Sequence, residues 1–135
     1  MTFADTNILI DVATNNRDWA DWSRRALSSA HSRGALLINV VVYAEFAVSF
    51  ARAADCDAEL ALFDLTMAEI PRQAAFRGAQ AFREYRQAGG GRTAVLPDFF
   101  IGAHASVLRL PLLTRDARRY RTYFPELTLL APERS

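Results

Sequence analysis

The chain has 135 residues, of which 51% are hydrophobic, and its formal net charge at pH 7 is +1. This size and apolar content suit a single domain, residues 1–135, with a packed core, and they exclude a chain that is disordered by composition. All 16 basic residues are arginines, so any mechanism that needs a lysine is excluded. The single cysteine, Cys56, cannot form a disulfide within the chain, which excludes a cysteine-rich zinc site and leads us to expect a cytoplasmic protein.

Apolar runs and helical stripes alternate along the first half of the chain. A short first strand is predicted over Thr2 to Ala4, followed by a helix that begins near Ile8 and is capped by Thr6 or Asn7. The next predicted elements are a helix with Trp19, Trp22, Ala26 and Ala30 on one face that ends near Gly34, a strand over Leu36 to Asn39, and a helix from Val40 through Ser49.

The second half of the chain continues this alternation. The first predicted elements are a helix with the stripe Leu60, Phe63 and Met67, a strand over Ala68 to Ile70, and a helix with Pro71 in its first turn that ends near Ala88. An extended loop over Ala88 to Pro97 follows, and then a helix that begins at Asp98. The last predicted elements are a strand over Pro111 to Thr114, a short helix over Asp116 to Tyr123, and a final strand over Thr128 to Leu130. Strands separated by helices are typical of an α/β domain with a parallel sheet.

Four acidic residues occupy equivalent places relative to this predicted sheet. They are Asp5, Glu45, Asp98 and Asp116. Since the carboxyl ends of parallel strands lie at one edge, we expect these four side chains to meet in one cleft. Carboxylates a few ångströms apart repel strongly, and hard divalent cations such as Mg²⁺ or Mn²⁺ neutralise such clusters. Taken alone, Asp5, Asp98 and Asp116 are each explained as a helix cap. Glu45 is more informative, because it follows a largely apolar stretch and a buried acid needs a partner.

Arginines cluster near two of these acids and suit the binding of phosphate groups. The candidates for contact with phosphate are Arg92, Arg115, Arg118 and Arg119. A solvated helix face or contacts with a protein partner would explain the same cluster.

Four motifs occur in order along the chain: FADTNILID, INVVVYAEF, LPDFFIGAHA and LLTRDARRYRTYFP. With them, the chain resembles the PIN-domain ribonucleases, and within these the VapC-type toxins of toxin–antitoxin pairs, over nearly its whole length. The resemblance implies a PIN-domain, Rossmann-like three-layer sandwich with a central, mostly parallel sheet flanked by helices. It also implies a Mg²⁺- or Mn²⁺-dependent endoribonuclease that cleaves an RNA such as a transfer or ribosomal RNA, a cognate antitoxin as partner, and a homodimer.

The resemblance also assigns roles to individual residues. Asp5, Glu45, Asp98 and Asp116 match the acidic quartet of the family and are expected to hold the metal and act in catalysis. Thr6, Asn7 and Thr114 match polar positions of its first and last motifs, and we expect them to orient the carboxylates or a bound water molecule.

Three other classes of protein place acids at the edge of a sheet. A phosphoacceptor receiver domain and a haloacid-dehalogenase-like phosphatase both need a lysine, which this chain lacks. The phosphatase also needs an acid two residues after the first, where this chain has Asn7. The remaining alternative is a non-catalytic PIN-like module that binds RNA or protein.

Overall fold

The computed structural model describes residues 1–91 and 96–133 of the chain. Within these ranges, five short strands form one sheet and seven helices flank it. The strands are β1 (Thr2–Ala4), β2 (Leu36–Ile38), β3 (Leu65–Met67), β4 (Leu112–Leu113) and β5 (Leu129–Leu130). The helices are α1 (Thr6–Ala13), α2 (Ala20–Ser32), α3 (Val40–Ala47), α4 (Ala53–Ala61), α5 (Arg72–Gln87), α6 (Leu96–Leu108) and α7 (Arg118–Tyr123).

The sheet is entirely parallel, with the strand order β3-β2-β1-β4-β5. The central strand β1 pairs on both sides, since Phe3 lies opposite Leu37 of β2 and Leu112 of β4. The chain moves outward from β1 to β3, and then returns to the other side of β1. Because such crossovers are right-handed, α1 to α4 cover one face of the sheet and α5 to α7 cover the other. This is the predicted three-layer α/β sandwich.

The core lies on both sides of the central strands. Phe3, Leu36 and Leu112 of the strands are at most 2% exposed, as strands covered on both faces require, and Ile8 of α1 and Phe99 of α6 are fully buried. Within the described parts of the chain, no helix is long and apolar enough to cross a membrane.

Most predicted elements are confirmed to within a few residues, but two predictions around the third strand are wrong. Helix α4 ends at Ala61, so the predicted stripe that includes Phe63 and Met67 does not continue as a helix. Asp64 adopts the left-handed conformation, with φ of 54°, and turns the chain into β3. Strand β3 therefore begins at Leu65, three residues before the predicted strand at Ala68.

Three helix starts also differ from prediction. Asp5, and not Thr6 or Asn7, caps α1. Pro71 precedes α5 instead of lying in its first turn. Helix α6 begins at Leu96, so Asp98 lies within its first turn. The predicted extended loop falls partly on residues 92–95, which lie outside the described residues.

Gly102 of α6 allows the close approach of α7 and the segment that follows it. A Cβ atom at this position would lie 2.8 Å from the ring of Phe124 and 3.0 Å from that of Tyr120. Both rings are buried, so neither can swing out into solvent.

We therefore predict that Gly102→Ala destabilises the protein. The overpacking penalty of about 1–3 kcal/mol exceeds the gain in helix propensity of about 1 kcal/mol, and urea unfolding should show a net loss on the order of 1 kcal/mol. The control Gln80→Ala, at an exposed position of α5, should leave stability unchanged or slightly raised. A Gly102→Ala variant as stable as the parent would contradict this view of the packing.

Candidate active site

The carboxyl ends of β1 and β4 meet where the strand order reverses, which is the usual position of a ligand site in an open α/β sheet. The backbone N–H of Asp5 donates to the carbonyl oxygen of Leu113 at 2.9 Å. This bond places Asp5, directly after β1, beside Thr114, directly after β4. Both residues are buried.

Asp5 is held by neutral donors on both of its carboxylate oxygens. Its Oδ1 accepts a hydrogen bond of 2.7 Å from the backbone N–H of Thr6, which is the cap of α1. Its Oδ2 accepts from the hydroxyl of Thr114 at 2.8 Å and from the hydroxyl of Tyr120 at 3.0 Å. Asp5 is only 4% exposed, so it is more than a solvated helix cap.

Glu45 reaches the same site from α3. The side chain of Asn39 caps this helix by accepting from the backbone N–H groups of Val41 and Val42, both at 3.0 Å. The hydroxyl of Thr6 then donates to Oε1 of Glu45 at 2.7 Å. Thr6 therefore links two acids, since its backbone binds Asp5 and its side chain binds Glu45.

Asp98 and Asp116 complete the acidic lining of one cleft of about 690 Å³. Asp98 lies in the first turn of α6, where its Oδ2 accepts from Nη1 of Arg119 at 2.6 Å. Asp116 is exposed, and its backbone N–H donates to the hydroxyl of Thr114 at 3.1 Å. The structure thus brings all four predicted acids to the same cleft, with Asp116 at its exposed side.

Burial and mutual repulsion disfavour ionisation of two of these acids. Burial raises the pKa of Asp5 to about 6, against the lowering effect of its hydrogen bonds, and the charge of Glu45 adds to the rise. Burial also raises the pKa of Asp98 to about 7, the charges of Asp5 and Glu45 contribute, and Arg119 opposes the rise. The three side chains are therefore electrostatically coupled, and the cleft favours a bound cation.

The chemistry of this donor set fits a hard divalent cation. The acids and hydroxyls offer oxygen ligands, which Mg²⁺ and Mn²⁺ prefer. Within residues 1–91 and 96–133, however, no three carboxylate, imidazole or thiol groups lie close enough to form a ready-made metal cage. Asp5, Glu45 and Asp98 could hold such an ion only if their side chains moved closer together, and the bond of Arg119 to Asp98 opposes that movement.

Asn7 connects the two strand ends of the site. Its Nδ2 donates to the hydroxyl of Thr114 at 3.3 Å and lies 3.5 Å from Oδ2 of Asp5. Its Oδ1 accepts from the backbone N–H of Arg115 at 3.3 Å. Thr6, Asn7 and Thr114 thus contact the acids or one another.

The four arginines predicted to contact the phosphates of the substrate differ in their surroundings. Arg118 and Arg119 line the cleft. Arg115 is held elsewhere, because its Nε donates to Oδ2 of the buried Asp11 at 2.7 Å. Its guanidinium carbon also lies 5.7 Å from the centre of the Trp19 ring. Arg92 lies outside the described residues.

Two residues that contribute to the site were not among the predicted site residues. Tyr120 binds Asp5, and burial together with the charges of Asp5 and Asp98 raises its pKa well above 10, so it remains a proton donor. Asn39 fixes the start of the helix that carries Glu45. Asp116 lies before α7, so no helical spacing in the sequence relates Tyr120 to the predicted acids.

Comparison with known families identifies one match. The model of the PIN domain matches residues 2–125. A comparison with curated proteins finds no match.

Solved structures with the same fold include three toxin–antitoxin proteins. VapBC2 from Rickettsia felis, bound to a DNA fragment from its promoter, is 18% identical, with a TM-score of 0.75 and 98% of each chain covered. VapBC-1 from nontypeable Haemophilus influenzae is 18% identical, with a TM-score of 0.72 and 96% of each chain covered. A toxin–antitoxin complex from Klebsiella pneumoniae is 24% identical, with a TM-score of 0.64 over 95% of this chain and 96% of that one.

We predict that Asp98→Asn stabilises the protein in the absence of metal. The pKa of Asp98 rises from 3.8 to about 7 on folding, so the folded state binds the proton more tightly than the unfolded state. The resulting stability is complete below about pH 4 and is lost as the pH rises through about 7. Asparagine removes this penalty, and at pH 8 in EDTA we expect a gain on the order of 1–3 kcal/mol.

Thermal denaturation between pH 5 and pH 8 measures this effect. The parent should lose stability as the pH rises, and Asp98→Asn should flatten the curve. The control Asp18→Asn changes an exposed carboxylate and should leave the curve unchanged. A lower melting temperature for Asp98→Asn at pH 8 would contradict the proposed repulsion.

Proposed function

Since the chain belongs to the PIN domain family, we propose that it is a Mg²⁺- or Mn²⁺-dependent endoribonuclease and the VapC-type toxin of a toxin–antitoxin pair. The observation that carries this proposal is the coupling of Asp5, Glu45 and Asp98 in a cleft that Arg118 and Arg119 also line. Negative charge that favours a metal ion and positive charge that suits phosphate therefore lie side by side.

The proposed reaction is hydrolysis of a phosphodiester bond. When bound, the divalent cation supplies charge neutralisation and a lowered pKa for the attacking water, and the products would carry a 5′-phosphate and a 3′-hydroxyl. Asp5, Glu45, Asp98 and Asp116 would bind the ion, and one of them would accept the proton from the water. Thr6, Thr114 and Tyr120 hold Asp5 and Glu45 in position for this task.

Arg118 and Arg119 are the arginines that we propose to hold the RNA backbone. Both line the cleft beside the acids. Arg115 stabilises the loop after β4 instead, since its side chain is bound to Asp11 and its backbone N–H donates to Asn7. We propose contact with RNA for Arg92 as well, from its place in the sequence before Asp98.

The proposed partners are a cognate antitoxin and a second copy of the chain. The solved structures with this fold include VapBC proteins and a toxin–antitoxin complex, and the resemblance to VapC-type toxins supports both partners. We further propose a single domain over residues 1–135, since all described strands belong to one sheet. A cytoplasmic location agrees with the free thiol of the buried Cys56.

We predict that Asp5→Asn and Asp98→Asn abolish RNA cleavage by the purified protein. Each change removes a charge that the metal needs, and losses of at least about 100-fold in rate are expected. Cleavage of transfer and ribosomal RNA should be measured in Mg²⁺, in Mn²⁺ and in EDTA, with mapping of the 5′ ends. Asp18→Asn is the matched control and should cut at the parent rate.

The same assay separates the nuclease from a non-catalytic binding module. A binding module would leave RNA intact with either metal while still retaining it in a filter-binding assay. Cleavage by both aspartate variants at the parent rate, or cleavage that EDTA does not affect, would contradict the assignment of the site.

The role as a toxin predicts an effect on growth. Induction of the parent chain in a bacterial host without an antitoxin should arrest growth. Induction of Asp98→Asn at an equal level should leave growth unaffected. Equal arrest by both proteins would count against toxicity through this site.

A further inference from the structure

One ion pair lies inside the acidic cleft. Nη1 of Arg119 donates to Oδ2 of Asp98 at 2.6 Å, and the two side chains are 36% and 29% exposed. The pair is therefore accessible from the cleft. It also occupies a carboxylate oxygen of one of the acids that we propose to bind the metal.

Arg119 does not neutralise the cleft by itself. Its single positive charge faces Asp98, while Asp5 and Glu45 also repel Asp98. The hydrogen bonds to Asp5 come from neutral donors, namely the backbone of Thr6 and the hydroxyls of Thr114 and Tyr120. A divalent cation would supply the charge that one guanidinium does not.

Arg119 has a second neighbour besides Asp98. It lies on α7, and its guanidinium carbon is 5.9 Å from the centre of the Tyr85 ring while Nη1 is bound to Asp98, so a cation–π contact is within reach when that bond breaks. Arg115 differs, because it is bound to Asp11, a residue that is only 1% exposed. Arg118 lines the same cleft, and the described part of the chain shows no ion pair for it.

We propose that Arg119 is an internal counter-ion that a divalent cation displaces from Asp98, and that the displaced guanidinium then binds a phosphate group of the nucleic acid in the same cleft. This inference rests on the proposed function and adds that metal binding regulates the binding of nucleic acid at the same site. Metal binding would thereby turn an arginine that opposes the metal into one that holds the substrate.

The first experiment is calorimetric titration of Mn²⁺ into metal-free protein at pH 8, without RNA. Arg119→Gln should bind Mn²⁺ roughly two- to fivefold more tightly than the parent, because the competing ion pair is lost. Arg119→Lys, which keeps the charge, should stay near the parent. Arg118→Gln removes the same charge from the same cleft without breaking an ion pair. It should therefore change the affinity for Mn²⁺ by less than about twofold.

Equal or weaker binding of Mn²⁺ by Arg119→Gln would overturn the inference and leave the proposed nuclease intact. An equal gain in Mn²⁺ affinity for Arg118→Gln would also overturn the inference. The gain would then come from the loss of any positive charge in the cleft and not from the loss of the ion pair between Arg119 and Asp98. Failure of the parent itself to bind Mn²⁺ or Mg²⁺ would contradict the metal dependence of the proposed function, and the inference with it.

The second experiment tests the released guanidinium without metal or cleavage. Asp98→Asn mimics neutralisation of the acid, so in EDTA it should bind a fluorescent RNA oligonucleotide more tightly than the parent. Adding Arg119→Gln to this variant should remove the gain, whereas adding Arg118→Gln should remove less of it. An equal loss in both double variants would show that Arg119 has no special role.

Discussion

Repulsion between a buried carboxylate, Asp5, and two half-buried ones, Glu45 and Asp98, is the constraint on which the rest of the site depends. Asp5, Glu45 and Asp98 come from the starts or middle of three helices and interact across one cleft. Their charges raise the free energy of the folded protein at neutral pH, because burial removes the water that would otherwise screen them. Clusters of carboxylates that cost free energy of folding are typical of functional sites, since an ordinary packed core has no reason to contain them.

Asp5 is held differently from Asp11, a buried acid that forms an ion pair. Asp5 is fixed by neutral N–H and O–H donors, which define where its oxygens lie without cancelling its charge. The buried Asp11, by contrast, is paired with Arg115 and also accepts from the hydroxyl of Ser23 at 3.0 Å. Removing one partner of such a pair generally costs several kcal/mol, so Asp11 serves to anchor the loop after β4. Neutral donors around Asp5 preserve the charge that a cation needs.

Sequence patterns could predict the order of elements and the edge at which the acids gather. Parallel strands are buried on both faces, so β2 appears as a continuous apolar run and β1 as a short segment around Phe3 and Ala4, and the acid after β1 must lie at the carboxyl edge of the sheet. The edge strand β3 was misplaced because it has no such run, and Met67 is 51% exposed. The bonds of Tyr120 to Asp5 and of Arg119 to Asp98 could not be predicted, since they depend on how α7 packs and on rotamers that join residues far apart in the chain.

The most direct measurement is anomalous scattering from a crystal of the metal-free protein soaked in Mn²⁺ at pH 8. We predict a peak in the cleft, with oxygens of Asp5 and of Glu45 or Asp98 at bonding distance, and no such peak in a crystal of Asp98→Asn soaked in the same way. A parent crystal with no manganese in the cleft, or with manganese bound only elsewhere, would contradict the claim that these carboxylates converge to hold a cation.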